Sequence, residues 1–161
     1  MHHKTSIALL LAALAFAVRA QEPSMVPIDL DGIGRAIAQE KCAQPKVKRR
    51  GIENTHDSKV VDTVETYACP GFEVEIYRAT AFDPPAELPL SVVVRRAHPR
   101  VPPGIGVGAS SAALVDALGP PLHAEDGKLV YSLEDEAGAD TVIFELTGGR
   151  VRSIRWSFDV D

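Results

Sequence analysis

The chain is poor in residues that several classes of protein require. Of its 161 residues, only two are cysteines, too few for a disulfide-dense mini-protein or a four-thiolate zinc site. Positive charge is also scarce: 17 lysines and arginines face 22 acidic residues, the wrong balance for neutralising nucleic-acid phosphates. Hydrophobic residues nevertheless make up 45% of the chain, which is enough to offset ordering entropy. The composition predicts a globular protein that does not bind nucleic acid.

Motifs for catalysis and for metal binding are also lacking. The sequence has no Gly-x-Ser-x-Gly nucleophile elbow and no His-x-x-x-His pair. His56, His98 and His123 fall in predicted loops, far apart in the chain, where we expect exposed side chains. We therefore expect no catalytic residue, no metal ligand and no cofactor, and we classify the chain as a non-enzyme. An enzyme with a cleft between two structural units is the alternative.

Two segments approach the pattern of a ligand-binding loop without completing it. The glycine-rich stretch 104–108 precedes a predicted helix, but no parallel βαβ unit surrounds it and no Gly-Lys-Ser/Thr follows. The segment 29–40 has acidic residues at positions 1, 3 and 12 of a calcium loop, yet position 5 is Ile33. A stiffened linker explains the first segment, and a helical apolar stripe explains the second.

Residues 1–20 have the layout of a secretory signal peptide. Lys4 precedes an apolar run from Ile7 to Val18, and Val18 and Ala20 place small side chains before a cut at residue 21. The run is too short for a bilayer core, which needs roughly 20 apolar residues. We expect a periplasmic or secreted protein without a membrane span after cleavage. An uncleaved membrane anchor is the alternative.

Export to an oxidising compartment would decide the redox state of the two cysteines. An oxidising compartment favours a disulfide between Cys42 and Cys69. A reactive thiol would require a low-pKa setting, and neither a Cys-x-x-Cys pair nor a neighbouring histidine is present. We therefore predict a structural disulfide.

The hydrophobic period changes twice along the chain, each time from helical spacing to alternation. Residues 21–97 form a first predicted unit, with a helix within 28–42 and strands over 59–69, 72–79 and 88–97. Residues 98–108 form a predicted linker. Residues 109–161 form the second unit, with a helix over 110–118 and strands over 128–134, 141–147 and 150–160. The fold class is α+β, two tandem helix–three-strand antiparallel meander units. The sequence leaves open whether they share one sheet and whether the first is a true repeat.

Residues 107–158 carry a recognisable combination of motifs. A short helix ends in Leu118-Gly-Pro-Pro, a strand containing Tyr131 follows, and a Gly149-Arg-Val turn precedes Trp156. This combination resembles the helix-plus-meander unit of β-lactamase-inhibitor-protein-like domains. It is also similar to small outer-membrane lipoproteins of the β-barrel assembly machinery. The resemblance implies a tandem sheet that grips a partner enzyme. No cysteine lies near the predicted cut, which argues against the lipoprotein branch.

These observations favour a protein-binding module whose partner is another protein in the cell envelope. We expect it to inhibit or neutralise a partner enzyme or toxin; an envelope scaffold or outer-membrane assembly factor is the alternative. The basic run 46–50 is interpreted as a solvated loop, with steering of an anionic partner as the alternative. Loops 81–89 and 135–139 are expected at the interface. From the outer strand faces, the predicted contact residues are Tyr77, Arg95, Ile143, Arg155 and Asp159.

Overall fold

The computed structural model describes residues 27–40, 42–54, 56–133 and 140–159. The predicted signal peptide and the predicted contact loop 135–139 lie outside these ranges. The two helices described are α1 (Leu30–Ala38) and α2 (Ser111–Leu118). The strands described are β1 (Lys46–Glu53), β2 (Val61–Cys69), β3 (Phe72–Ala79), β4 (Ala86–Val94), β5 (His123–Glu125), β6 (Lys128–Ser132), β7 (Thr141–Thr147) and β8 (Arg150–Ser157).

All the described strands belong to one antiparallel sheet, in the order β1-β2-β3-β4-β8-β7-β6-β5. Each half of the chain contributes a helix followed by a meander, and the last strands of the two meanders pair at the centre. This central pairing runs from Ser91 opposite Ser157 to Val94 opposite Ile154. The α+β prediction is confirmed, and the sheet is shared. The prediction of three strands in each half is one too few.

The two strands missed from the sequence are the edges of the sheet. The basic run 46–50, predicted to be a loop, forms most of β1, which pairs with β2 from Lys46 opposite Ala68 to Glu53 opposite Val61. An edge strand needs only the backbone ladder, and lysines at an edge oppose pairing with other chains. His123, also predicted in a loop, lies in the three-residue strand β5, which pairs with β6.

A hydrophobic core spans both halves on one face of the sheet. Ile37 of α1 and Leu114 of α2 pack there, and Trp156 and Phe144 are fully buried beneath them. The predicted linker 98–108 contributes buried side chains to the same core. The core residues are Ile37, Val74, Val92, Val94, Val101, Ile105, Leu114, Tyr131, Val142, Phe144, Val151, Ile154, Trp156 and Phe158.

His98 differs from the exposed histidine that the sequence predicted. Its side chain is only 8% exposed, and Nε2 lies 3.3 Å from Oε2 of Glu40. The imidazole also packs edge-on against Phe72, with ring centroids 5.2 Å apart. The residue joins the end of α1 to the segment that leads into the second half.

Helix α1 begins at a conventional cap and crosses the central strands. The Asp29 carboxylate accepts a hydrogen bond from the backbone N–H of Gly32 at 2.8 Å. Gly34 lies against the indole of Trp156, so close that a Cβ there would be 2.4–2.9 Å from ring atoms. Nε1 of Trp156 donates to the carbonyl oxygen of Leu30 at 2.8 Å. A glycine in the helix is therefore what allows α1 to approach β8 this closely.

The predicted disulfide is present. Cys42, just after α1, is bonded to Cys69 at the end of β2, with a sequence separation of 27 residues. Cys42 lies in the segment between α1 and β1, four residues before β1 begins. The bond therefore ties this connecting segment to the end of β2.

Replacing Gly34 by Ala should destabilise the protein by roughly 1–3 kcal/mol, because the new methyl group overlaps the Trp156 indole. The gain in helix propensity, about 1 kcal/mol, offsets part of that cost. Urea unfolding followed by fluorescence of Trp156, the only tryptophan, measures the change. Gly104→Ala is the matched control, because a Cβ there meets nothing within 4 Å. Equal stability of the two variants would contradict the close packing.

Replacing both cysteines by serine should lower the free energy of unfolding by roughly 3.5 kcal/mol, on the loop-entropy estimate for a loop of this length. Thermal unfolding of oxidised wild type and of the Cys42→Ser/Cys69→Ser variant measures the loss. At roughly 2–4 °C per kcal/mol for a chain of this size, the midpoint should fall by about 10 °C. An unchanged midpoint would show that the bond does not constrain the unfolded chain.

Candidate protein-binding face

The sheet has a second face, opposite the helices, which we call the open face. Side chains alternate along each strand, so the neighbours of core residues such as Val92 and Trp156 point away from both described helices. The strand registers place one row of open-face residues across all eight described strands. In strand order, the row is Lys46, Ala68, Glu73, Val93, Arg155, Ile143, Val130 and His123.

A second row, beside the first, is rich in hydroxyl groups. At its centre, the carboxylate of Glu75 accepts hydrogen bonds from Thr66 Oγ1 at 3.4 Å and Ser91 Oγ at 3.1 Å. Short hydroxyl side chains leave the backbone accessible and can both donate and accept hydrogen bonds. The row contains Lys48, Thr66, Glu75, Ser91, Ser157, Thr141 and Ser132.

The structure brings together three of the five predicted contact residues. Ile143 and Arg155 are directly opposite each other on β7 and β8, and Arg95 lines the same cavity as Arg155. Tyr77 is on the open face but in another row, opposite Val64, and its hydroxyl donates to Asp62. Asp159 follows the end of β8, outside the rows. Of the predicted loop 81–89, residues 86–89 belong to β4.

A cleft of about 350 Å³ lies on the open face where the two halves join. We call it the arginine cleft: it is lined by Val93, Arg95, Glu145, Arg152, Ser153 and Arg155. Its walls come from β4, β7 and β8, so it exists only because the central strands pair. Sequence reasoning missed Arg152, because the register shift between Glu145 and Leu146 decides where this side chain lies.

The open face carries more cations than carboxylates, in a chain whose net charge is −5. On β1, Lys46, Lys48 and Arg50 share the face, and the arginine cleft adds three guanidinium groups. The cations are Lys46, Lys48, Arg50, Arg95, Lys128, Arg152 and Arg155, and the carboxylates are Asp62, Glu73, Glu75, Glu125 and Glu145.

Asp62 connects β2 to the ends of β1 and β3 at one end of the open face through hydrogen bonds. It is fully buried, and its carboxylate accepts hydrogen bonds from Tyr77 Oη, Thr80 N at 2.7 Å and Asn54 Nδ2 at 2.6 Å. The bond from Tyr77, followed by that from the Thr80 backbone, lowers the pKa of Asp62 to about 2. The hydroxyl of Tyr77 is therefore engaged within the protein.

Glu65 is a second buried carboxylate in β2, and it lies on the helix side of the sheet. Burial alone would raise its pKa, but hydrogen bonds from Tyr67, Arg49 and Arg78 outweigh burial and lower the pKa to about 2. Arg49 and Arg78 donate through Nε at 2.6 Å each, and the Tyr67 hydroxyl donates at 2.5 Å. A carboxylate whose pKa is held near 2 by three donors is a weak base at neutral pH.

Tyr67 also reaches a cavity of about 380 Å³ between the C-terminal end of α1 and strands β2–β4. Val74 and Ile76 provide an apolar floor, and Arg35, Glu40 and Glu87 stand at its rim. This cavity is on the helix side, separate from the open face.

Comparison with protein-family models, characterised proteins and solved structures finds no match. Within the described ranges, no group of three or more histidine, cysteine, aspartate or glutamate side chains is arranged to hold a metal ion. None of the helices described is long and apolar enough to cross a membrane. The disulfide is consistent with an oxidising compartment.

Stability should fall as the pH drops from about 5 to 2. Asp62 and Glu65 have folded-state pKa values near 2, below their ordinary values of 3.8 and 4.5. The unfolded chain therefore binds more protons in this window, and the stabilisation present above pH 5 is lost. Urea unfolding at a series of pH values measures the slope.

The two tyrosines allow the two carboxyl groups to be separated. Tyr77→Phe should raise the pKa of Asp62 alone, and Tyr67→Phe that of Glu65 alone, because each variant removes one donor to one carboxylate. Carbon-13 NMR titration of the carboxyl carbons measures both. A shift of the wrong carboxyl group in either variant would contradict the hydrogen-bond assignment.

Proposed function

We propose that the chain is a protein-binding module of the cell envelope that inhibits or neutralises a partner enzyme or toxin. The open face is the proposed contact surface. The observation that carries this proposal is the unbroken row of open-face residues across the sheet, with Arg155 and Ile143 adjacent near its centre.

The central part of the face has the composition of a protein interface. Ile143 and Val130 are partly exposed and provide apolar contact, while Arg155 stands in register between Ile143 and the buried Val93. Interface cores favour arginine together with apolar groups, surrounded by a polar rim. The second, hydroxyl-rich row of the open face supplies such a rim on one side. Its short side chains allow a partner to approach the sheet.

Charge favours an acidic partner surface. The cations of the open face outnumber its carboxylates although the whole chain is acidic. Such an asymmetry orients the molecule towards an anionic partner and speeds encounter more than it adds affinity. Inhibition would then be steric, since a rigid sheet seated over an active site excludes substrate without any chemistry of its own.

Partner binding should depend on the centre of the open face. With residues 21–161 immobilised and the disulfide intact, a single soluble enzyme or toxin should be retained from an envelope fraction at one-to-one stoichiometry. Ile143→Ala should weaken that complex by tenfold or more, because truncating a hot-spot residue at the centre of an interface costs about 2 kcal/mol or more. Calorimetry with the purified partner measures the loss.

Val115→Ala is the matched control for Ile143→Ala, because Val115 is an exposed apolar side chain (40%) on α2, away from the open face. If Val115→Ala weakened the complex while Ile143→Ala left it unchanged, the helix side would be the contact surface. Retention of outer-membrane assembly components in place of a soluble enzyme or toxin would favour the envelope scaffold.

A further inference from the structure

The arginine cleft contains one guanidinium group that the described part of the chain does not neutralise. Arg95 lies 3.7 Å from Glu73 Oε1, and Arg152 lies 3.0 Å from Glu145 Oε2. Arg155 has neither a salt bridge nor a hydrogen bond to any side chain in the described ranges. Of three cations in one cleft, two therefore have a carboxylate and the central one has none.

Glu145 does not supply the missing partner. Its Oε2 accepts a hydrogen bond from Ser153 Oγ at 2.5 Å and another from Arg152 at 3.0 Å. These contacts, the Ser153 hydroxyl foremost, lower the pKa of Glu145. The carboxylate is thus ionised, its Oε2 is engaged by Ser153 and Arg152, and Arg155 keeps its donors free for a ligand.

The surroundings of Arg155 strengthen an interaction with an anion. Val93 and Ser153 are both less than 10% exposed, so the floor of the cleft is largely shielded from water. Arg155 is itself half-buried between Val93 and Ile143 in the row. A guanidinium group in such a setting is less screened than one on a fully exposed surface, and its planar fork matches a carboxylate in bidentate geometry.

We infer that the arginine cleft is a carboxylate site, and that Arg155 binds an aspartate or glutamate side chain of the partner protein in bidentate fashion. The inference rests on the proposed function in naming a protein as the source of the carboxylate. The site itself depends only on the geometry of the cleft. Its volume of about 350 Å³ is ample for one acidic side chain.

The site can be tested on the isolated protein with a defined probe. Nitrogen-15 NMR of residues 21–161 follows the arginine Nε–H signals while a capped peptide of glutamate and serine is added. The Arg155 signal should shift saturably, and a matched peptide with glutamine in place of glutamate should bind at least tenfold more weakly. Equal shifts at all exposed arginines, or no saturable shift at Arg155, would overturn the inference.

Two variants separate bidentate recognition from charge alone. Arg155→Gln should weaken peptide binding at least tenfold, followed in the variants through the Nε–H signals of the neighbouring Arg95 and Arg152 because the Arg155 signal is gone. Arg155→Lys, which keeps the charge but not the fork, should weaken it by several-fold. Arg100→Gln is the matched control, since Arg100 lies beside α1 and pairs with Glu40 there. Unchanged binding in Arg155→Lys would overturn the bidentate geometry, and tighter binding of inorganic phosphate than of the peptide would overturn the choice of ligand.

The failure of this inference can be distinguished from failure of the proposed function. If the peptide binds at Arg155 but Ile143→Ala and Arg155→Gln both retain the partner, the carboxylate site stands and the open face is not the partner surface. If Ile143→Ala loses the partner while Arg155→Gln retains it and the peptide does not bind, the proposed function stands and the carboxylate site is wrong.

Discussion

The pairing of β4 with β8 is the constraint on which the rest of the structure depends. It joins two meanders through four residue pairs, from Ser91–Ser157 to Val94–Ile154. Trp156, a fully buried residue of this pairing, anchors helix α1 to the sheet. Its indole packs against Gly34 and donates a hydrogen bond to the carbonyl oxygen of Leu30. The same strands present Val93 and Arg155 on the other face. The core and the candidate site are thus two sides of one pair of strands.

The first half of the chain needs support beyond its apolar contacts. Its outer strands β1 and β2 contribute no residue to the core cluster, and β1 is exposed along its whole length. Two buried carboxylates, Asp62 and Glu65, compensate on opposite faces by collecting hydrogen bonds from three strands and two turns. The disulfide adds a covalent tie at the end of β2. Polar bonding and covalent closure there replace part of what burial does in the second half.

The parts of the fold that sequence predicted are those where local pattern and burial agree. β3 and β7 match their predicted bounds residue for residue because strict alternation marks a strand with one buried face. β1 was missed because an edge strand without an apolar face, such as Lys46–Glu53, has no such alternation. The sequence also could not predict that Arg152 and Arg155 line one cleft. Their placement depends on the register shift in the pairing of β7 with β8 and on the pairing of β8 with β4. Ile143 and Arg155 were foreseen on one face, but their direct opposition was not.

The breadth of the sheet has a consequence for any molecule that binds it. Neighbouring strands twist by about 20° on average, and seven successive pairings separate β1 from β5. At that average twist the strand direction would rotate by about 140° over this span, which would give the open face the shape of a saddle. A flat partner seated at the waist of such a saddle could not also touch the lysines of β1. Those lysines would act at a distance, during approach, unless the partner is convex along one axis and wraps around the other.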